Sequence, residues 1–207
     1  MTHTLHRQGS LESLQQDYVV FAMPSSGLTS TGSKPKLDRV FEILSRHNPV
    51  NIGDSKGGSR YSLGGDSEVK DIIVENELVH GVFRSREQVI AVLKDLQKAD
   101  LGLCVTVSGL MHEVESCCQQ VDLTPHTIVN SLGIWGKTEL LPSVNVQQIA
   151  TMCGHGLVSF NLIADLADKV KRRQITPEKA GEMLAKPCIC GVFNPARAAE
   201  LIRQFAD

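Results

Sequence analysis

The chain has 207 residues, of which 42% are hydrophobic and 21% charged, and its formal net charge is -2. Such a chain can bury a sizeable core as one large domain or two small ones, and it lacks the overall basic field that phosphate neutralisation needs, so nucleic acid is not an expected partner. No run approaches the roughly 20 apolar residues of a bilayer-crossing helix, and the opening Met1-Thr2-His3-Thr4-Leu5-His6-Arg7 lacks the apolar stretch of a secretory signal. No membrane partner is expected, and the expected compartment is the cytosol.

In chain order, residues 1–17 read as a polar arm, irregular or helical. Tyr18-Val19-Val20-Phe21-Ala22-Met23 reads as a buried strand. After a Ser/Thr/Gly-rich loop, Pro35 suits a first helical position for a helix that places Leu37, Val40, Phe41 and Leu44 on one face and ends near Asn48-Pro49. Residues 53–67 carry five glycines among Asp, Ser and Lys, the composition of a long mobile loop, and Asp54 and Lys56 there are candidate contacts for a polar ligand.

An α/β unit follows: a strand over 78–83, a helix over 85–98 with a Ser85-x-x-Gln88 capping pattern, and a strand over 101–108. A right-handed parallel crossover is the economical interpretation, and an antiparallel return in a ferredoxin-like arrangement also fits. His80 lies in the first of these strands, and a strand end in an α/β sheet is a common ligand position. The next helix, opened by Ser108-Gly109, places Cys117 and Cys118 on its core face by period. Residues 127–135 can supply another strand, and Trp135 reads as a core or junction anchor. Four helices are expected at about 143–152, 156–173, 177–185 and 195–205, with Thr176-Pro177 and Asn194-Pro195 as starts. The expected fold is therefore of the α/β class, with a mixed or parallel sheet, flanking helices and a helical C-terminal subdomain. Residues 1–140 form the α/β core and 141–207 the helical part, packed as one globular unit.

Two short motifs concentrate the chemistry: Met152-Cys153-Gly154-His155-Gly156 and Pro187-Cys188-Ile189-Cys190-Gly191. Each is expected just before a helix, where free N–H groups and the dipole favour an anion. Six cysteines allow three disulfides, but Cys104 in a strand and Cys117 and Cys118 in a helix favour reduced thiols. Cys153, His155, Cys188 and Cys190 together supply three thiolates and an imidazole, a ligand set for tetrahedral zinc or an iron–sulfur cluster.

The segment Met152-Cys153-Gly154-His155-Gly156 also resembles the catalytic cysteine motif of the proline racemase family. That resemblance covers five residues, and the family's enzymes are larger, with two similar halves that this chain lacks. It implies a cofactor-independent isomerase in which Cys153 and Cys190 act as an acid/base pair beside His155, with helix N-termini holding a carboxylate. Three functions thus stand open: a cytosolic metal- or iron–sulfur-binding protein that takes a small-molecule ligand, a cysteine racemase or isomerase, and a noncatalytic binding or accessory module. A homo-oligomer is compatible with each.

Overall fold

A computed structural model describes residues 4–206. Of the arm expected over 1–17, residues 1–3 lie outside the described residues. Five strands, β1 (Tyr18–Met23), β2 (Asn51–Asp54), β3 (Gly58–Ser59), β4 (Val79–Phe83) and β5 (Cys104–Ser108), form one sheet in the order β3-β2-β4-β1-β5. The helices in chain order are α1 (Leu11–Leu14), α2 (Lys34–Arg46), α3 (Arg60–Leu63), α4 (Asp66–Asp71), α5 (Arg86–Ala99), α6 (Met111–Gln119), α7 (Val144–Ala150), α8 (Phe160–Lys171), α9 (Pro177–Ala185) and α10 (Pro195–Ala206). No helix is long and apolar enough to cross a membrane among the described residues.

Every strand pairing in the sheet is antiparallel, which overturns the expected mixed or parallel sheet. β4 and β5 flank β1 and each runs antiparallel to it, so they point the same way without touching. The unit 79–108 is a split crossover with β1 inserted between its strands. The near-continuous apolar strands misdirect the reading for a physical reason. Such runs report burial on both faces, which is usual for parallel sheets but arises here because helices cover both sides of an antiparallel one.

One face carries Val19, Phe21 and Val82 and packs against α7–α10; the other carries Tyr18, Val20, Ala22, Val79 and Phe83 and packs against α2, α5 and α6. Cys117 and Cys118 lie in the second core, as their period predicts. Ser85 caps α5 by accepting the Gln88 N–H, and Thr176 caps α9 by accepting from Lys179. Three expectations fail. The glycine-rich stretch is ordered into β3, α3 and α4, because the Asp54 carboxylate accepts the N–H groups of Lys56 (2.9 Å) and Gly57 (2.8 Å) and sets the β2–β3 turn. The 127–135 stretch forms no strand, and Trp135 is 82% exposed, its indole N–H donating locally to the Leu132 carbonyl.

A buried ionic knot binds the ends of this architecture together. Asp17, at the start of β1, takes Arg7 on Oδ1 and Arg197 on Oδ2, and Asn194 Nδ2 reaches Oδ1 at 3.1 Å. Arg197 and Asp17 are 1% and 3% exposed. Asn194 also caps α10 through its Oδ1, which accepts the Arg197 N–H, and Arg7 donates to the Val192 carbonyl. Breaking a buried pair leaves an uncompensated charge at a cost of about 3–5 kcal/mol. Asp17→Asn, which keeps the shape and removes the charge, should lower the unfolding free energy by about that amount in urea titration. A loss under about 1 kcal/mol would show that the knot is not holding the fold.

Candidate functional site

Each cysteine motif occupies a turn after a helix. The Cys153 N–H bonds the Ala150 carbonyl at the end of α7, and the Cys188 N–H bonds the Ala185 carbonyl at the end of α9. Helices α8 and α10 begin only at Phe160 and Pro195. The motifs thus sit at helix C-terminal ends, where the dipole opposes a thiolate instead of favouring it. The expected placement is corrected accordingly, and stabilisation of negative charge has to come from local groups.

The Cys188–Cys190 turn is positioned by the close packing of α9 on α10. A Cβ on Gly181 of α9 would lie 2.2 Å from the Pro195 carbonyl oxygen, so only glycine admits this approach. Gly191 has φ +71°, and a Cβ there would sit 2.5 Å from Ser59 Cβ and 3.1 Å from His80 Nε2. The Cys190-Gly191 turn is therefore pressed directly against β3 and β4. Asn51 Nδ2 holds it from the sheet side, donating to the Phe193 carbonyl at 3.1 Å.

Three sulfurs converge in this space: Cys153, Cys188 and Cys190, all buried in the core between the sheet and α7–α10. Cys188 and Cys190 Sγ atoms are 3.8 Å apart. The Cys188 thiol bonds Cys153 and draws its pKa down to about 6 from an ordinary 9.0; burial opposes this, and the N–H groups of Leu157 and His155 assist it. Cys188 moves the other way, held protonated far above the thiol range by its bonds to Cys153 and Cys190 and by burial. The contacts favour negative charge on Cys153 over Cys188. Cys117 and Cys118 are raised chiefly by burial, as expected for inert packed thiols.

Cys153 also forms part of the wall of a cavity of about 530 Å³, with His6, Ile134, Leu141, Gln147 and Phe160. Cys188 and Cys190 do not line it. His155 is exposed on the Cys153 turn and contributes its backbone N–H. His80 faces the cysteine side of the sheet beside Gly191, its ring 5.7 Å from that of Phe21. Asp54 and Lys56 are not brought to this site. Asp54 lies one residue from Gly53 and points to the other face, toward Ile72, and Lys56 pairs with Glu77 at 2.8 Å on the surface. Among the described residues, no group of three or more His, Cys, Asp or Glu side chains is placed to hold a metal ion.

Sequence reasoning misses His6 and Arg7, which look like part of a polar arm. His6 Nδ1 and Ser131 Oγ share a 2.9 Å hydrogen bond across the cavity margin, and Arg7 fastens Val192. The signal available is the adjacency of the two cationic-type residues His6 and Arg7. The chain matches no known protein family, no curated protein and no solved structure.

Three outcomes test this geometry. Cys188→Ala should move the Cys153 titration, read by ultraviolet thiolate absorbance, from about 6 toward 9.0; an unchanged midpoint would show that Cys188 does not hold the charge. The linked stability has a definite sign. A depressed acid pKa stabilises fully above 9.0 and loses that contribution as pH falls through about 6, so the wild type should lose stability over this window and Cys153→Ser should not. Gly191→Ala should cost about 1–3 kcal/mol, because the added methyl meets β3 at a strained φ; a neutral result in thermal unfolding would show the turn is free to move.

Proposed function

We propose that the chain binds a soft divalent metal ion, zinc first, through the thiolates of Cys153, Cys188 and Cys190. The observation that carries the reading is the 3.8 Å separation of the Cys188 and Cys190 sulfurs, with Cys153 buried in the same core; as they stand the three are not placed to hold a metal ion, so binding has to draw Cys153 in. Two sulfurs bonded at about 2.3 Å to one tetrahedral zinc lie about 3.8 Å apart, and Cys188 and Cys190 stand 3.8 Å apart. A cubane cluster suits this spacing less well, because each thiolate then takes its own iron and the sulfurs are held apart by the cluster's breadth. A cation also supplies what the apo trio lacks. Three adjacent thiolates repel one another in a buried site, and a divalent charge allows Cys188 to lose its proton.

Three protein ligands leave a fourth position, which is the pattern of zinc sites that do chemistry or accept a ligand. Free thiols in a reducing compartment such as the cytosol fit this role. A second reading, in which Cys153 is a thiolate nucleophile, draws on its low pKa and its place in the cavity wall. A two-base isomerase needs both cysteines facing the substrate, and Cys190 is not in that wall.

Metal analysis of anaerobically purified chain expressed with added zinc should give one zinc per chain. Cys153→Ser and Cys188→Ser should each lower occupancy sharply, and Cys104→Ser should leave it intact. A metal-free chain that alkylates selectively at Cys153 would replace the metal reading with the nucleophile. Zinc retained unchanged by Cys188→Ser would place the metal elsewhere.

A further inference from the structure

We propose that Cys153 and Cys188 form a reactive dithiol, which reduces one equivalent of a small, apolar organic hydroperoxide held in the adjoining cavity and closes a Cys153–Cys188 disulfide. The inference stands on the cavity and the contact between the two sulfurs, and it needs no metal. Of the three sulfurs in this core only Cys153 lines the cavity, whose volume of about 530 Å³ lies within the roughly 300–1,000 Å³ typical of small-molecule sites. Cys188 is fully buried, and its thiol is hydrogen-bonded to Cys153. One sulfur therefore meets whatever enters the cavity, and its partner is shielded from it but stands within reach of the first.

The lining sets the class of oxidant. Ile134, Leu141 and Phe160 give apolar walls, and Ile134 and Phe160 remain 41% and 48% exposed, so an apolar body gains by covering them. Gln147, Thr151 and Asn161 add uncharged donors and acceptors, and no Asp, Glu, Lys or Arg is among the described lining residues. Such a site suits a neutral molecule and disfavours a charged peptide disulfide; an organic hydroperoxide is neutral, and so is the alcohol it leaves. In the first step the Cys153 sulfur attacks the outer peroxide oxygen. An S–O bond forms, the O–O bond breaks, and the thiol proton passes to the leaving oxygen to give the alcohol, with Cys153 left as a sulfenic acid. In the second step the Cys188 sulfur attacks the Cys153 sulfur. The S–S bond forms, the S–O bond breaks, and the hydroxyl leaves with the Cys188 proton as water. The two thiols lose two electrons and the peroxide gains them. Sulfurs already in contact have only to close to the bond length of about 2.05 Å. Cys117 and Cys118 lie in the other core, across the sheet, and take no part.

Mass spectrometry of the reduced full chain, treated with cumene hydroperoxide in the presence of a chelator, provides the test. The chain should lose the mass of two hydrogen atoms, and peptide mapping should join the Cys153 segment to the Cys188 segment. Cys188→Ser should abolish the cross-link and leave a sulfenic acid on Cys153 that dimedone captures, whereas Cys190→Ser should still close the disulfide. Hydrogen peroxide, which has no apolar body, should react roughly tenfold more slowly at equal concentration, and Phe160→Ala should bring the two rates within roughly twofold of each other. No disulfide, or a cross-link that survives Cys188→Ser, would overturn the dithiol. Equal rates for the two peroxides in the wild type, or a preference untouched by Phe160→Ala, would overturn the cavity as the hydroperoxide site. Zinc occupancy is read separately, so either proposal can fail while the other stands.

Discussion

The structure depends on one buried carboxylate. Asp17 is shared by the guanidinium groups of Arg7 and Arg197, and Asn194 completes its shell. Two positive charges on one negative charge leave the knot net cationic, a costly state in the interior that is offset by the acceptors most of its donors find, Arg7 Nε being a buried donor without one. Arg197 satisfies this by donating to Ser13 Oγ (2.9 Å) and the Gln8 carbonyl (2.6 Å) as well. A term of about 3–5 kcal/mol is a large part of the roughly 5–15 kcal/mol that holds a domain folded. The N-terminal arm, the first strand and the start of α10 are therefore fixed relative to one another.

That constraint reaches the cysteines through few covalent steps. Val192 and Asn194 are both held by the knot, and Phe193 between them is held by Asn51. The Cys188–Cys190 turn thus hangs from a rigid anchor on its C-terminal side and from α9 on the other. Gly181 lets α9 close on α10, and Gly191 lets the turn lie flat on the sheet. Cys153 arrives from a different helix end, and the N–H groups of His155 and Leu157 hold its sulfur.

Much of this was legible from sequence where local chemistry decides. Ser85, Thr176 and Asn194 announce helix starts, and periodicity assigns Cys117 and Cys118 to a core. Strand direction was not legible, because a run such as Tyr18–Met23 reports burial on both faces and carries no sign of which way its neighbours run. The helix-entrance placement of the cysteines failed for a related reason. Capping residues mark where α8 and α10 begin, yet the turns between helices are long enough to put Cys153 and Cys188 nearer the preceding helix. The partnership of Arg7 with Asp17 joins residues ten apart, and that of Arg197 with Asp17 joins residues 180 apart; no short-range pattern encodes either.

The central claim is that three sulfurs from two turns form one metal-binding unit. X-ray absorption at the zinc edge of zinc-loaded chain tests it most directly. The account predicts three sulfur neighbours at about 2.3 Å in the first shell. A first shell of one sulfur or none, with nitrogen and oxygen in its place, would contradict it.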